Sequence, residues 1–144
     1  MKRMRRKDRL NVLRVILFDV RSSAHPTPKD IRLVLVARIV RQLAESRPEL
    51  GYEFKTEIPF SWQLVDDLEA MANQGEIQIW STSTVPQGNV YVRLRVTRPQ
   101  KVWNKLSPKT LSEINAVVTH ELAETPSDYL HSVSRSAQIT FPHH

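Results

Sequence analysis

The sequence predicts an α+β fold, mostly helical with one β-hairpin, on three observations. Residues 61–74 carry apolar side chains at helical spacing, Gly75 stops them, and two strand-like runs, 76–81 and 89–97, follow with turn residues between them. A hairpin directly after an amphipathic helix is the outline of a winged helix, and the other apolar periodicities read as helices packed around that unit. The chain divides into a flexible basic arm, residues 1–8, a single winged-helix-like domain, residues 9–135, and a C-terminal tail, residues 136–144.

Taken in order, the first helix is expected from Lys7 to Val20, with Leu10, Leu13, Leu17 and Val20 as its buried stripe. Residues 21–28 form a connector, and Thr27 or Pro28 starts the next helix. From Ile31 to Ala44 apolar residues cover about half the circumference, which marks the central helix of the core; RLVLV as a buried strand is the alternative. Pro48 and Gly51 end it, and Tyr52 to Ile58 is an extended link that could add a third strand beside the hairpin.

Ser61 is placed to cap the next helix, whose expected apolar face is Trp62, Leu64, Val65, Leu68, Met71 and Ala72. Pro86, Gln87, Gly88 and Asn89 carry the turn of the hairpin. Its second strand alternates: Val90, Val92, Leu94 and Val96 take one face, Tyr91, Arg93, Arg95 and Thr97 the other. Pro99 to Leu106 is a connector. Ser107 caps a helix with Pro108 at its first position and a stripe of Leu111, Ile114, Val118 and Leu122, and Thr125, Pro126 and Asp128 start a short last helix carrying Leu130 and Val133. The tail SAQITFPHH has no usable period.

At 144 residues the chain supports one sizeable core. It has no cysteine, which excludes disulfides, thiolate zinc sites and a cysteine nucleophile and fits a reducing compartment. No run reaches the roughly 18 apolar residues of a membrane span. The basic start followed by VLRVILFDV imitates a signal peptide, but Arg14 and Asp19 interrupt it and no A-x-A site follows, so an amphipathic first helix and a cytoplasmic location are expected.

The net charge of +6 lies at one end. Lys2, Arg3, Arg5, Arg6, Lys7, Arg9 and Arg14 against Asp8 give +6 within residues 1–14, so the rest is neutral overall. Residues 56–92 hold five carboxylates and no Lys or Arg; residues 93–109 hold Arg93, Arg95, Arg98, Lys101, Lys105 and Lys109 and no acid.

The string LSPKTLSEINAVV, followed by TPSDYLHSVS, resembles the closing helices of the Panacea (SocA-like antitoxin) family, and PFSWQLVDDLEAMANQGEI is similar to the helix and strand that precede them there. The resemblance implies a compact, mostly helical, winged-helix-like domain spanning nearly the whole chain that works by binding proteins. The chain lacks a Tyr-Gly-Pro-like turn before the middle helix and the family's aromatic finish, and no functional residue carries over.

Catalytic patterns are absent. His120-Glu121-Leu122-Ala123-Glu124 places Glu where a zincin needs its second histidine, and His131 is too weak an addition to make a metal site. His143 and His144 end the chain and are no evidence for one. Three scattered glycines write no P-loop or dinucleotide fingerprint, and Asp66 and Asp67 point about 100° apart on their helix. No enzyme activity, metal or cofactor is expected.

The basic features point to nucleic acid, with DNA expected over RNA. Lys2, Arg3, Arg5, Arg6 and Arg9 on the arm, and Tyr91, Arg93, Arg95, Arg98 and Lys101 on and after the wing strand, would track phosphates and release counterions, with Tyr91 as a stacking ring. The helix before the hairpin opposes conventional groove reading, because Asp66, Asp67 and Glu69 would meet phosphates. The alternative is an antitoxin or adaptor module that binds a protein through those three acids. The residues that would mark a homodimer surface are Met4, Trp80 and Trp103, outside the stripes, although burial is the commoner fate of tryptophan.

Overall fold

The computed structural model describes residues 3–24, 30–54, 61–82, 90–95, 100–124 and 138–140. In chain order they form α1 (Arg6–Ser23), β1 (Ile31–Arg32), α2 (Leu33–Ser46), a 3-10 turn (Pro48–Leu50), α3 (Trp62–Asn73), β2 (Ile77–Thr82), β3 (Val90–Leu94), α4 (Gln100–Trp103), α5 (Pro108–Glu124) and β4 (Gln138–Thr140). The architecture is α+β and mostly helical, with one antiparallel sheet in the order β1-β3-β2-β4.

The central helix is α1, a correction to the expectation that residues 31–44 would fill that role. Its run from Leu10 to Val20 buries Val12, Val15, Ile16 and Phe18 as well as the expected Leu10, Leu13, Leu17 and Val20. A helix apolar on all sides needs neighbours on all sides, and α1 packs against α2, α3, α4, α5 and β1. α2 buries one face through Leu35, Val36, Ile39, Val40 and Leu43. It starts at Leu33, two residues into the apolar pattern expected from Ile31, because Ile31 and Arg32 are extended and pair with Val92 and Tyr91 of β3. That two-residue strand is where the third strand lies; residues 52–54 are in no strand, while residues 55–58 are outside the described residues, as is the Thr27–Pro28 start.

Two helix starts follow their caps. The Ser61 side chain accepts the Leu64 N–H at 3.3 Å, and the Ser107 side chain accepts the Thr110 N–H at 3.1 Å. Across the hairpin the pairs Ile77–Leu94 and Ile79–Val92 face the core with Ile31. On the opposite face Trp80 pairs with Tyr91, the rings stacked at 4.8 Å. Trp80 and Tyr91 are both buried, and Phe18 meets the half-buried Trp103 edge-on, so neither Trp80 nor Trp103 is an open dimer surface. The expected connector at 99–106 holds α4, and the tail supplies β4, paired with Trp80, Ser81 and Thr82. The turn at 86–89, Val96, Thr97 and the short helix after Thr125 lie outside the described residues. Among the described residues no helix is long and apolar enough to cross a membrane.

Candidate functional site

The N-terminal end of α1 and the flank of α3 are joined by a buried carboxylate. Asp67 is 0% exposed, and its two oxygens take the Arg6 Nε at 3.1 Å, the Arg9 Nε and Nη2 at 2.8 and 3.2 Å, and the Tyr52 hydroxyl at 2.7 Å. Asp67 sits three residues after Leu64 and four before Met71, so the helix itself aims it inward with the core stripe. Four donors replace the water that a buried carboxylate loses. The hydrogen bond from Arg9 to Asp67 raises the guanidinium pKa against the opposing effect of burial. Burial first, and the Asp67 hydrogen bond second, push the Tyr52 phenol up.

Further along both helices, Arg14 donates to Glu76 at 2.6 and 2.8 Å and to the buried Asn11 at 2.7 Å. Partners on α1 and after α3 therefore advance together, 9 with 67 and 14 with 76, so the two helices run alongside each other in the same sense. The segment before α1 is also fixed. The Met4 N–H donates to the Glu49 carbonyl at 2.7 Å, Arg9 Nη1 donates to the Met4 carbonyl at 2.9 Å, and Arg3 lies over Gly51. Gly51 has φ +77°, a left-handed conformation that its missing Cβ permits.

These contacts redistribute the expected cations. Arg9 is turned inward, and Arg6 is half consumed by Asp67 with 56% of its side chain still exposed. Arg3 and Arg5 remain outward, 68% and 79% exposed, with weak partners in Glu53 at 3.5 Å and Asp8 at 3.6 Å. Lys7 is exposed beside them. The structure thus brings Arg3, Arg5, Arg6 and Lys7 together around the start of α1.

On the hairpin the expected face does not stand open. Tyr91 is 0% exposed under Trp80, so it is no stacking platform. Arg93 grips Asp30 bidentately, Nε at 2.8 Å and Nη2 at 2.9 Å, and Asp30 also accepts the Trp80 indole N–H at 2.9 Å. That hydrogen bond to Asp30 raises the Arg93 pKa against its partial burial. The cluster clamps the start of β1 onto the sheet. Arg95 is exposed, with a 3.4 Å contact to Gln78. Lys2 and Arg98 lie outside the described residues, as does the side chain of Lys101.

The three acids of α3 do not stand open together. Asp66 is exposed and Glu69 half-buried, but Asp67 is structural and unavailable to a partner. Trp62, expected in the core, is 65% exposed, because the buried stripe is Leu64, Asp67, Leu68 and Met71 on the other side of the helix. Sequence reasoning missed Tyr52, Asp30 and Glu76 as partners. A signal existed for the central contact: a carboxylate at stripe spacing in a chain with surplus arginine at one end.

Among the described residues no group of three or more His, Asp or Glu could hold a metal ion; His131, His143 and His144 fall outside them. The chain matches no protein-family model, no curated protein and no solved structure.

Proposed function

We propose that this chain is a non-enzymatic, winged-helix-like regulatory protein of the cytoplasm that contacts nucleic acid, DNA first, through the exposed cations at the start of α1 and the Arg95 end of the wing strand. The element order supports the reading. Helix, short strand, two helices and a hairpin, with the short strand pairing on the outer side of β3, is the order a winged helix needs.

The observation that carries the phosphate-binding side is that Asp67 and the Met4–Glu49 hydrogen bond hold the backbone at the start of α1 while the Arg3, Arg5 and Lys7 side chains stay exposed. Cations carried on a held backbone lose less freedom on binding than those of a free arm would. Because α3 offers Asp66 and Glu69 and no Lys or Arg, base reading by that helix is disfavoured; contact is electrostatic, salt-sensitive and weakly selective.

Anisotropy titrations of random duplex and single-stranded DNA across a salt series test this. Affinity should fall with salt, and a triple variant, Arg3→Ala, Arg5→Ala and Lys7→Ala, should lower the salt slope by about 2 to 3. Absence of binding at low salt overturns the reading.

A further inference from the structure

Arg6 meets Asp67 through one edge of its guanidinium. Its Nε donates to Asp67 Oδ1 at 3.1 Å, while Nη1 and Nη2 have no partner among the described residues and 56% of the side chain is exposed. A guanidinium is planar, with a side edge of Nε and one Nη and an end edge of both Nη groups, so a bond at Nε leaves the end edge whole.

The neighbouring arginines are committed differently. Arg9 uses Nε and Nη2 on Asp67 and Nη1 on the Met4 carbonyl, and Arg14 uses Nε and Nη2 on Glu76 and Nη1 on Asn11. Arg93 gives Nε and Nη2 to Asp30, which leaves it a single Nη. Arg3 and Arg5 are more exposed, and their contacts with Glu53 and Asp8, at 3.5 and 3.6 Å, are to carboxylates in contact with solvent. Nor does Asp67 cancel the charge it holds. Two guanidiniums share one carboxylate, which leaves the cluster a charge of +1, and because Asp67 is 0% exposed, solvent meets the cluster at Arg6.

We infer that Arg6 takes one backbone phosphate of duplex DNA, Nη1 and Nη2 donating to its two non-bridging oxygens while Asp67 holds Nε and fixes the plane of the fork. The assignment rests on the nucleic-acid contact proposed above and adds to it: Arg3, Arg5 and Lys7 contribute charge, and Arg6 contributes geometry. Asp67 is the positioning residue, sparing Arg6 the loss of freedom that a loose arginine suffers on binding. A bidentate arginine–phosphate pair is directional, which the point charge of a lysine does not reproduce.

Substitutions that keep the charge separate the two contributions. Anisotropy titrations of random duplex DNA across a salt series compare the full chain with its Arg6→Lys and Arg5→Lys variants. Arg6→Lys should bind about tenfold more weakly at every salt concentration, with the parent's salt slope, because the charge stays and the fork is lost. Arg5→Lys should match the parent. Urea unfolding accompanies each variant; Asp67 keeps three hydrogen bonds from Arg9 and Tyr52, so Arg6→Lys should remain folded under the titration conditions. In the parent, the Arg6 Nη resonance, identified by its loss in Arg6→Lys, should shift when duplex is added. A parent that binds no duplex at low salt overturns the proposed function and this contact together. If the parent binds and Arg6→Lys loses no more affinity than Arg5→Lys, the function stands and the role of Arg6 is overturned, as it is by an Arg6 Nη resonance that duplex does not move.

Discussion

Arg9 of α1 donates two hydrogen bonds to Asp67 of α3, at 2.8 and 3.2 Å, across 58 positions of sequence. The contact joins the basic start of the chain to the helix that precedes the hairpin. A buried ion pair adds little net stability when compared with a well-packed apolar replacement, but removing one member leaves the other charge stranded.

Asp67→Ala should therefore cost about 3 to 5 kcal/mol, the range for breaking a buried pair. It strands Arg9 and the Tyr52 hydroxyl together. Tyr52→Phe removes one donor of four and should cost about 1 to 2 kcal/mol. Because both changes act on one cluster, the double variant should lose less than the sum. Urea unfolding of the three variants measures all of it; additive losses would show that the cluster does not act as a unit.

Tyr52 also sets a pH dependence. Burial and the Asp67 hydrogen bond raise its folded pKa, whereas in the unfolded chain the phenol ionises near about 10. The folded state then holds the proton more tightly, so its contribution to stability is complete below about pH 10 and declines as pH rises above it. Tyr52→Phe should show a shallower alkaline loss of unfolding free energy than the parent. Equal slopes would contradict the assignment.

Asp19 predicts a dependence in the acid range. The half-buried carboxyl is raised by desolvation, partly offset by a hydrogen bond from Asn115. It also lies toward the C-terminal end of α1, where a negative charge meets the helix dipole unfavourably. A raised folded pKa means that the stability present below the ordinary Asp value of about 3.9 is lost as pH climbs through the folded value. Asp19→Asn should stabilise the protein at neutral pH, with the gain fading as pH falls through that range in denaturant titrations.

Local chemistry made α3 and α5 legible, because Ser61 and Ser107 satisfy their helix N-termini within three residues. The strand character of Ile31 and Arg32 was not legible, since it exists only through Val92 and Tyr91, some sixty positions away. The same holds for the site. Which arginines point outward was decided by Asp67, Asp30 and Glu76, and which tryptophan is exposed followed from Asp67 entering the core stripe. Periodicity ranks residues by hydropathy and so turned the α3 face toward Trp62; the paired carboxylate reversed that choice.

The sharpest separation of structural from ligand-facing cations compares Arg93 with Arg5. Arg93→Ala leaves the buried Asp30 with the Trp80 indole N–H and no guanidinium, and should lower stability by about 1 to 3 kcal/mol. It should leave the salt dependence of DNA binding at its parent slope, because that guanidinium is already committed to Asp30. Arg5 has only an exposed partner at 3.6 Å, so Arg5→Ala should change stability by no more than about 0.5 kcal/mol. It should instead reduce the salt slope by about 0.9, the counterion share of one phosphate contact. Thermal unfolding and anisotropy titrations on the same two variants decide the matter, and the reverse pattern would move the phosphate contacts from the start of α1 to the wing strand.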